Sequence, residues 1–195
     1  LHLSATDLDI ALACSCPATV TTPGATTLPA AKLCEMIKTL PSDAEIGLTH
    51  TASCAGVTVT GAGFRVRLGE LSPEDFPALS EPTGQATVFS ADALRWLLRS
   101  RCIVADSNTR SVPYASGMLL RVEASSLTAV TTDGRRMAVA VAPRETNTPT
   151  EDAVVPRKTV IVLVEQLSDL ANDAPVTYTR GENLLFFEIA GRLLT

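Results

Sequence analysis

The sequence predicts an α+β protein in which one module, a helix followed by an antiparallel meander, occurs twice. Three observations carry this. Two long passages, Thr26–Leu68 and Ala153–Thr195, match in order, with Pro29 falling on Pro156 at an offset of 127 residues. One of them holds "AAKLCEMIKTL", whose apolar residues recur with the period of a helix. The remainder breaks into short alternating stretches separated by glycine-containing turns, as antiparallel strands do.

Taken in chain order, "SATDLDIALA" lies on "VTTDGRRMAVA", with Asp7 matching Asp133 at an offset of 126. Leu33, Met36, Ile37 and Leu40 then fall at i, i+3, i+4 and i+7, while Lys32, Glu35 and Lys38 fall elsewhere. Pro29 sits in the first turn of this helix, where its missing N–H costs nothing. "EIGLTH", "GVTVTG" and "FRVRLGEL" alternate around Cys54-Ala55-Gly56 and Gly61-Ala62-Gly63, and read as a meander. "LSPEDFPALSEPTGQA", Leu71 to Ala86, carries three prolines and reads as a domain linker. "TVFS" follows as a strand, then a helix capped by Ser90 with Asp92 in its first turn. Its core stripe is Leu94, Leu97, Leu98 and Cys102. Arg101 falls near that stripe, which makes sense only if the helix ends sooner.

"MLLRVEA" and "SLTAVTT" pair across Ala124-Ser125-Ser126. "TTDGRRMAVAVA" supplies Asp133-Gly134, the short signal for a two-residue type I′ hairpin. "TVIVLVEQL" alone fits a buried strand, but its match to "AAKLCEMIKTL" makes it a helix with Val160, Leu163, Val164 and Leu167 as its stripe. "VTVTGAGFRVRL" lies on "LLFFEIAGRLLT" at the same offset of 127. With that period, the first unit should begin ~40 residues before Leu1. The expectation is an internal piece of a longer repeat protein.

The chain has 195 residues, 46% hydrophobic and 19% charged, which excludes a disordered or collagen-like class. No apolar run approaches the ~18 residues of a membrane span, and no signal peptide is legible, so a cytoplasmic location is expected. A net charge of −5 argues against a nucleic-acid binder if taken alone. Charge is a sum, however, and the surface on which cations gather decides. Five cysteines and two histidines, with no CxxC among them, give reduced thiols rather than zinc, so no metal or cofactor is expected. There is no GxxxxGK[ST], GxSxG or HExxH. Asp7 with Asp9, Glu74 with Asp75 and Glu151 with Asp152 read as solvated loop acids, so no catalytic residue is assigned. An enzyme using Asp133 and the neighbouring arginines, such as a small hydrolase, is the contrary reading.

"GATTLPAAKLCEMIKTLP", "LSPEDFPAL", "TTDGRRMAV" and "VPRKTVIVLVEQL", in that order and spacing, resemble the bacterial sliding-clamp family, the β subunits of the replicative DNA polymerase III. The resemblance implies repeated DNA-clamp domains, each with two helices on an antiparallel sheet. Residues 1–83 would be the C-terminal two thirds of domain 1 with its linker. Residues 84–195 would be a nearly complete domain 2, and domain 3 would be absent. It implies a non-catalytic processivity factor that closes as a head-to-tail homodimer ring around double-stranded DNA. Its partners would be the polymerase α subunit and clamp-loader subunits, which dock by short peptide motifs. Carried over, Ala115, Thr132, Gly134, Arg135, Arg136 and Met137 would line the peptide groove. Arg95, Arg99, Arg157, Lys158, Lys32, Lys38 and Tyr114 would face DNA. "TRSVPYASGML" departs from the family, with Arg110 displaced and Ala115 where a leucine is usual. A diverged paralogue that docks partners without ringing DNA is the remaining alternative.

Overall fold

Two helices begin where a proline ends extended backbone. In the computed structural model, which describes residues 1–50, 56–103, 117–144 and 150–195, Pro29 caps α1 (Ala30–Ile37) and Pro156 caps α3 (Arg157–Leu167). Proline has no N–H to leave unpaired at such a position. α2 (Ala91–Leu97) begins at Ser90, whose Oγ accepts from the Ala93 amide at 3.2 Å. The repeat at Pro29 and Pro156 is therefore structural as well as sequential.

The chain forms two units, one comprising Leu1 and Pro17–Leu79, the other His2–Cys16 and Ser80–Thr195. In the first, α1 accompanies a three-stranded meander of β3 (Gly47–His50), β4 (Val57–Gly61) and β5 (Phe64–Leu68). The expected stripe of α1 is only partly covered, since none of its residues is fully buried and Ile37 keeps 38% of its surface exposed. Glu70 fastens this unit by accepting from Thr26 Oγ1 at 2.7 Å, His50 Nε2 at 2.9 Å and the Gly56 amide at 3.2 Å.

The second unit opens with β1 (His2–Thr6) and β2 (Ala11–Ser15), followed after the linker by β6 (Ala86–Ser90) and α2. β7 (Gly117–Val122), β8 (Ser126–Thr132) and β9 (Met137–Pro143) form a meander. β10 (Glu151–Pro156) leads into α3, and β11 (Pro175–Arg180), β12 (Leu185–Ile189) and β13 (Arg192–Leu194) form a second meander. Strand, helix and three strands thus occur twice. The first strand of each half pairs in the other half's sheet, β6 with β11 and β10 with β7. The results are a sheet ordered β1-β2-β13-β12-β11-β6 and another ordered β10-β7-β8-β9. This internal halving was not legible in the sequence, because the two halves share topology but little residue pattern.

The core of this unit lies between those sheets and the helices. Leu94 and Leu97 of α2, with Val160, Leu163 and Leu167 of α3, are buried against Met118, Leu120 and Phe187. Val164 is half-buried. Tyr178 lies between Phe89 and Phe187, with ring centroids at 5.6 and 5.3 Å.

Two expectations about length and register change. α2 stops at Leu97 and tightens into a 3-10 turn, Leu98–Ile103. Arg101 is therefore rotated to the surface and donates Nη1 to the Leu98 carbonyl at 3.1 Å. The repeat offset is also 128, not 127, at the last hairpin. Ala62-Gly63 and Ala190-Gly191 are the equivalent tips, all four residues with positive φ. Cys54, Arg110, Tyr114, Ala115 and the Cys102 side chain lie outside the described residues.

Candidate functional site

The tip between β8 and β9 is built by side chains rather than by a type I′ turn. Asp133 donates its amide to the Arg136 carbonyl at 3.2 Å, so Gly134 and Arg135 are the central residues. Only Gly134 has positive φ, +82°. Type I′ needs positive φ at both central residues, so the expected type I′ turn does not form. Asp133 Oδ1 accepts from the Arg135 and Arg136 amides at 2.9 and 2.7 Å. Thr132 Oγ1 accepts from the Gly134 amide at 3.1 Å and donates to the Arg136 carbonyl at 2.8 Å.

The same set recurs between β1 and β2. Asp7 donates its amide to Ile10 at 3.2 Å, and its Oδ1 accepts from Asp9 and Ile10, both at 3.1 Å. Thr6 Oγ1 accepts from Leu8 at 3.0 Å and donates to Ile10 at 2.8 Å. Every bond is reproduced 126 residues apart. Leu8 stands in Gly134's place with φ +76°.

These bonds decide the chemistry of Asp133. The Arg135 amide first, then the Arg136 amide and guanidinium, hold its carboxyl down at about 2. A general acid or base works best with a pKa near the operating pH. Asp133 is thus a turn builder, and the hydrolase reading loses its only acid. Arg136 is folded back, with Nη2 and Nε at 3.0 and 3.1 Å from Asp133 Oδ2. Arg135 and Met137 remain exposed, Met137 by 66%. Five of the six proposed groove residues therefore sit together at one tip and the start of one edge strand.

The cations lie differently. Arg95 bridges from α2 to the end of α3, donating Nη1 to the Leu167 and Leu170 carbonyls at 2.8 and 3.0 Å and Nη2 to Asn172 Oδ1 at 2.7 Å. It adds a charged donor to carbonyls at and just past the helix end, of which Leu167 also accepts the Leu170 amide at 3.3 Å. Arg99 lies over the Trp96 ring at 5.1 Å, an exposed cation–π contact. Lys158, in the first turn of α3, is paired with Asp7 Oδ2 and, at 3.1 Å, with Asp9 Oδ2. Arg157 precedes it and is half-buried. Lys32 in α1 and Lys38 at its end are exposed in the first unit.

Sequence reasoning missed Trp96 and the Asp7–Asp9–Lys158 cluster. Trp96 donates its indole N–H to the Val141 carbonyl at 2.9 Å, closing part of β9, the edge of its sheet. β2 is the counterpart of β9 in the repeat, yet it pairs onward with β13: Leu12 with Leu194, Ala13 with Leu193 and Cys14 with Arg192. Ala11 and Thr195 exchange both backbone bonds at 2.8 Å. Shifted by 126, those four β2 positions are Met137–Ala140, ending one residue short of the carbonyl that Trp96 covers.

Such an arrangement defines an α+β repeat protein whose modules can extend one another's sheets. Residues 1–80 match the family described as DNA polymerase III beta subunit, N-terminal domain, and residues 91–195 match its central domain. The chain belongs to the DNA polymerase III β-subunit family, that of the beta sliding clamps. The Beta sliding clamp of Salmonella typhimurium is 34% identical over 163 residues, covering 83% of this chain and 43% of its own length. That of Synechococcus elongatus is 30% identical over 198 residues, covering 100% of this chain and 52% of its own. The structure of the DNA polymerase III subunit beta from Pseudomonas aeruginosa matches with TM-score 0.86 at 27% identity, over 99% of this chain and 52% of that one. The DNA polymerase sliding clamp of Caulobacter crescentus gives 0.88 at 27%, over 99% and 53%. The chain spans about half the length of the curated relatives it matches.

Proposed function

We propose that the chain is part of a DNA sliding clamp, a non-catalytic processivity factor that encircles duplex DNA and tethers a polymerase. Residues 1–83 are the later two thirds of its first clamp domain with the linker, and residues 84–195 nearly all of its second. The observation that carries this reading is the strand addition of β13 to β2, matched by the Met137–Ala140 half of β9, beside which no further strand lies among the described residues. Modules that join by the same edge each time can be tiled until they close. A sliding protein gains from phosphate contacts, which carry no sequence information. Arg99, Arg157, Lys158, Lys32, Lys38 and Tyr114 are assigned that role. Arg95 is assigned to it only in part, since its guanidinium already serves α3.

Thr132, Gly134, Arg135, Arg136 and Met137, with Ala115, form one wall of a groove for short peptides from the polymerase α subunit and clamp-loader subunits. Glycine permits close approach of a peptide backbone, Met137 offers an adaptable apolar contact, and Arg135 a polar rim. The protein acts in the cytoplasm as a homodimeric ring.

The second reading, a paralogue that docks peptides without ringing DNA, is favoured by the internal commitments of Arg95 and Lys158. One experiment separates the two. The full-length protein is loaded on nicked circular DNA, which is then linearised. Retention on circles with loss from free ends supports the clamp; equal salt-sensitive binding to both forms supports the paralogue.

A further inference from the structure

The acids at the β1–β2 tip grip a cation that the proposed function assigns to DNA. Asp7 divides its carboxylate between two tasks: Oδ1 holds the turn amides, and Oδ2 holds Lys158 Nζ. Asp9 Oδ2 joins from the other side of Leu8 at 3.1 Å. The left-handed Leu8 is what turns the chain between the two acids. The lysine is the leading cause holding the Asp7 carboxyl below the usual range, and Asp7 is the leading cause raising Lys158. All three side chains are solvent-accessible, so the pairing is exchangeable rather than locked. The second copy of the turn has Arg135 at the position of Asp9, so the gripping acids are particular to this tip.

We infer that Asp7 and Asp9 act as an internal substitute for phosphate, occupying Lys158 so that duplex DNA engages the first turn of α3 only by displacing them. Two carboxylate oxygens on one ammonium resemble two phosphate oxygens in charge and donor demand. A Lys158 contact with DNA must therefore break its ion pairs within the protein, which keeps that contact weak and suited to movement along the duplex. This rests on the reading of α3 as DNA-facing.

A mutant cycle on the full-length protein tests it, with a fluorescent ~20-bp duplex titrated by anisotropy at several salt concentrations. Asp9→Asn is the informative variant, because Asp7 also builds the turn. It should tighten binding roughly two- to fivefold and steepen the salt slope by at most ~0.9, as the Lys158–phosphate contact no longer has to displace Asp9. In a Lys158→Ala background, Asp9→Asn should change almost nothing. If Asp9→Asn tightens binding equally in both backgrounds, a general charge effect replaces the inference. If Lys158→Ala weakens binding but Asp9→Asn is silent, the inference falls and the DNA-facing assignment stands. If neither the parent nor any variant binds duplex in a salt-dependent way, the proposed function fails and takes the inference with it.

Discussion

At the scale of single residues, the Thr-Asp turn offers two experiments of opposite sign. Leu8 is 83% exposed and has φ +76°, a conformation that burdens any residue with a Cβ. Leu8→Gly should raise stability by roughly 0.5–1 kcal/mol, the relief of strain offset by the greater freedom of glycine in the unfolded chain. Gly134→Leu should lower it, and urea unfolding reads both. Asp133 gives a pH signature. Its folded pKa of about 2 lies below its ordinary 3.8. Its contribution is thus present above ~4 and lost as pH falls toward 2. The difference in urea midpoint between the parent and Asp133→Asn should shrink over that interval and be constant from pH 5 to 7. Much of this was legible. The sequence aligned Thr6-Asp7 with Thr132-Asp133, but the Asp-Gly pair suggested the wrong pair of central residues. What decides the turn is that Asp133 puts its side chain on the next two amides, a hydrogen-bond choice that the Asp-Gly pair does not announce.

At the scale of elements, helix starts were legible and helix ends were not. Ser90, Pro29 and Pro156 announce their helices through local chemistry. The end of α2 at Leu97 depends on what surrounds it. Ser100 is buried, donates its hydroxyl to the Leu97 carbonyl at 2.8 Å, and accepts Thr131 Oγ1 on its own carbonyl at 2.5 Å. No periodicity within the helix reports a partner on β8. Arg95 shows the same limit, since its three acceptors lie more than seventy residues away. Arg95→Ala should cost about 2 kcal/mol, as expected for charge-assisted bonds to carbonyls at and just beyond a helix end. Arg95→Lys should recover less than half, because one ammonium cannot reproduce the spread of the guanidinium fork. Chemical denaturation of the two variants measures both claims.

At the scale of the whole molecule, the repeat was the most legible feature and the strand edges the least. The 127-residue match reported that modules recur, but it could not say that β2 and β13 are neighbours. Sheet order depends on pairing between strands that are distant along the chain, and neither strand's sequence encodes its partner. The tiled reading gives a definite expectation for hydrogen exchange. The amides of Met137 and Val139 should exchange rapidly in the 195-residue chain and be protected in the full-length protein. The amides of β2 facing β13 should be protected in both. Equal exchange at Met137 in the two proteins would leave that edge without a covering strand.

The crossed placement of β6 and β10 has a consequence for the order of events during synthesis. β6 emerges first but finds its neighbour only when β11 has been made, about ninety residues later. β10 must likewise return to a meander that has been waiting without its outer strand. Neither half can finish its sheet alone, so long-range pairing makes acquisition of the native state slow and nearly all-or-none. Two peptides cut between Pro143 and Glu151 would each offer the strand the other lacks, and mixing them should restore the native circular dichroism that neither has by itself.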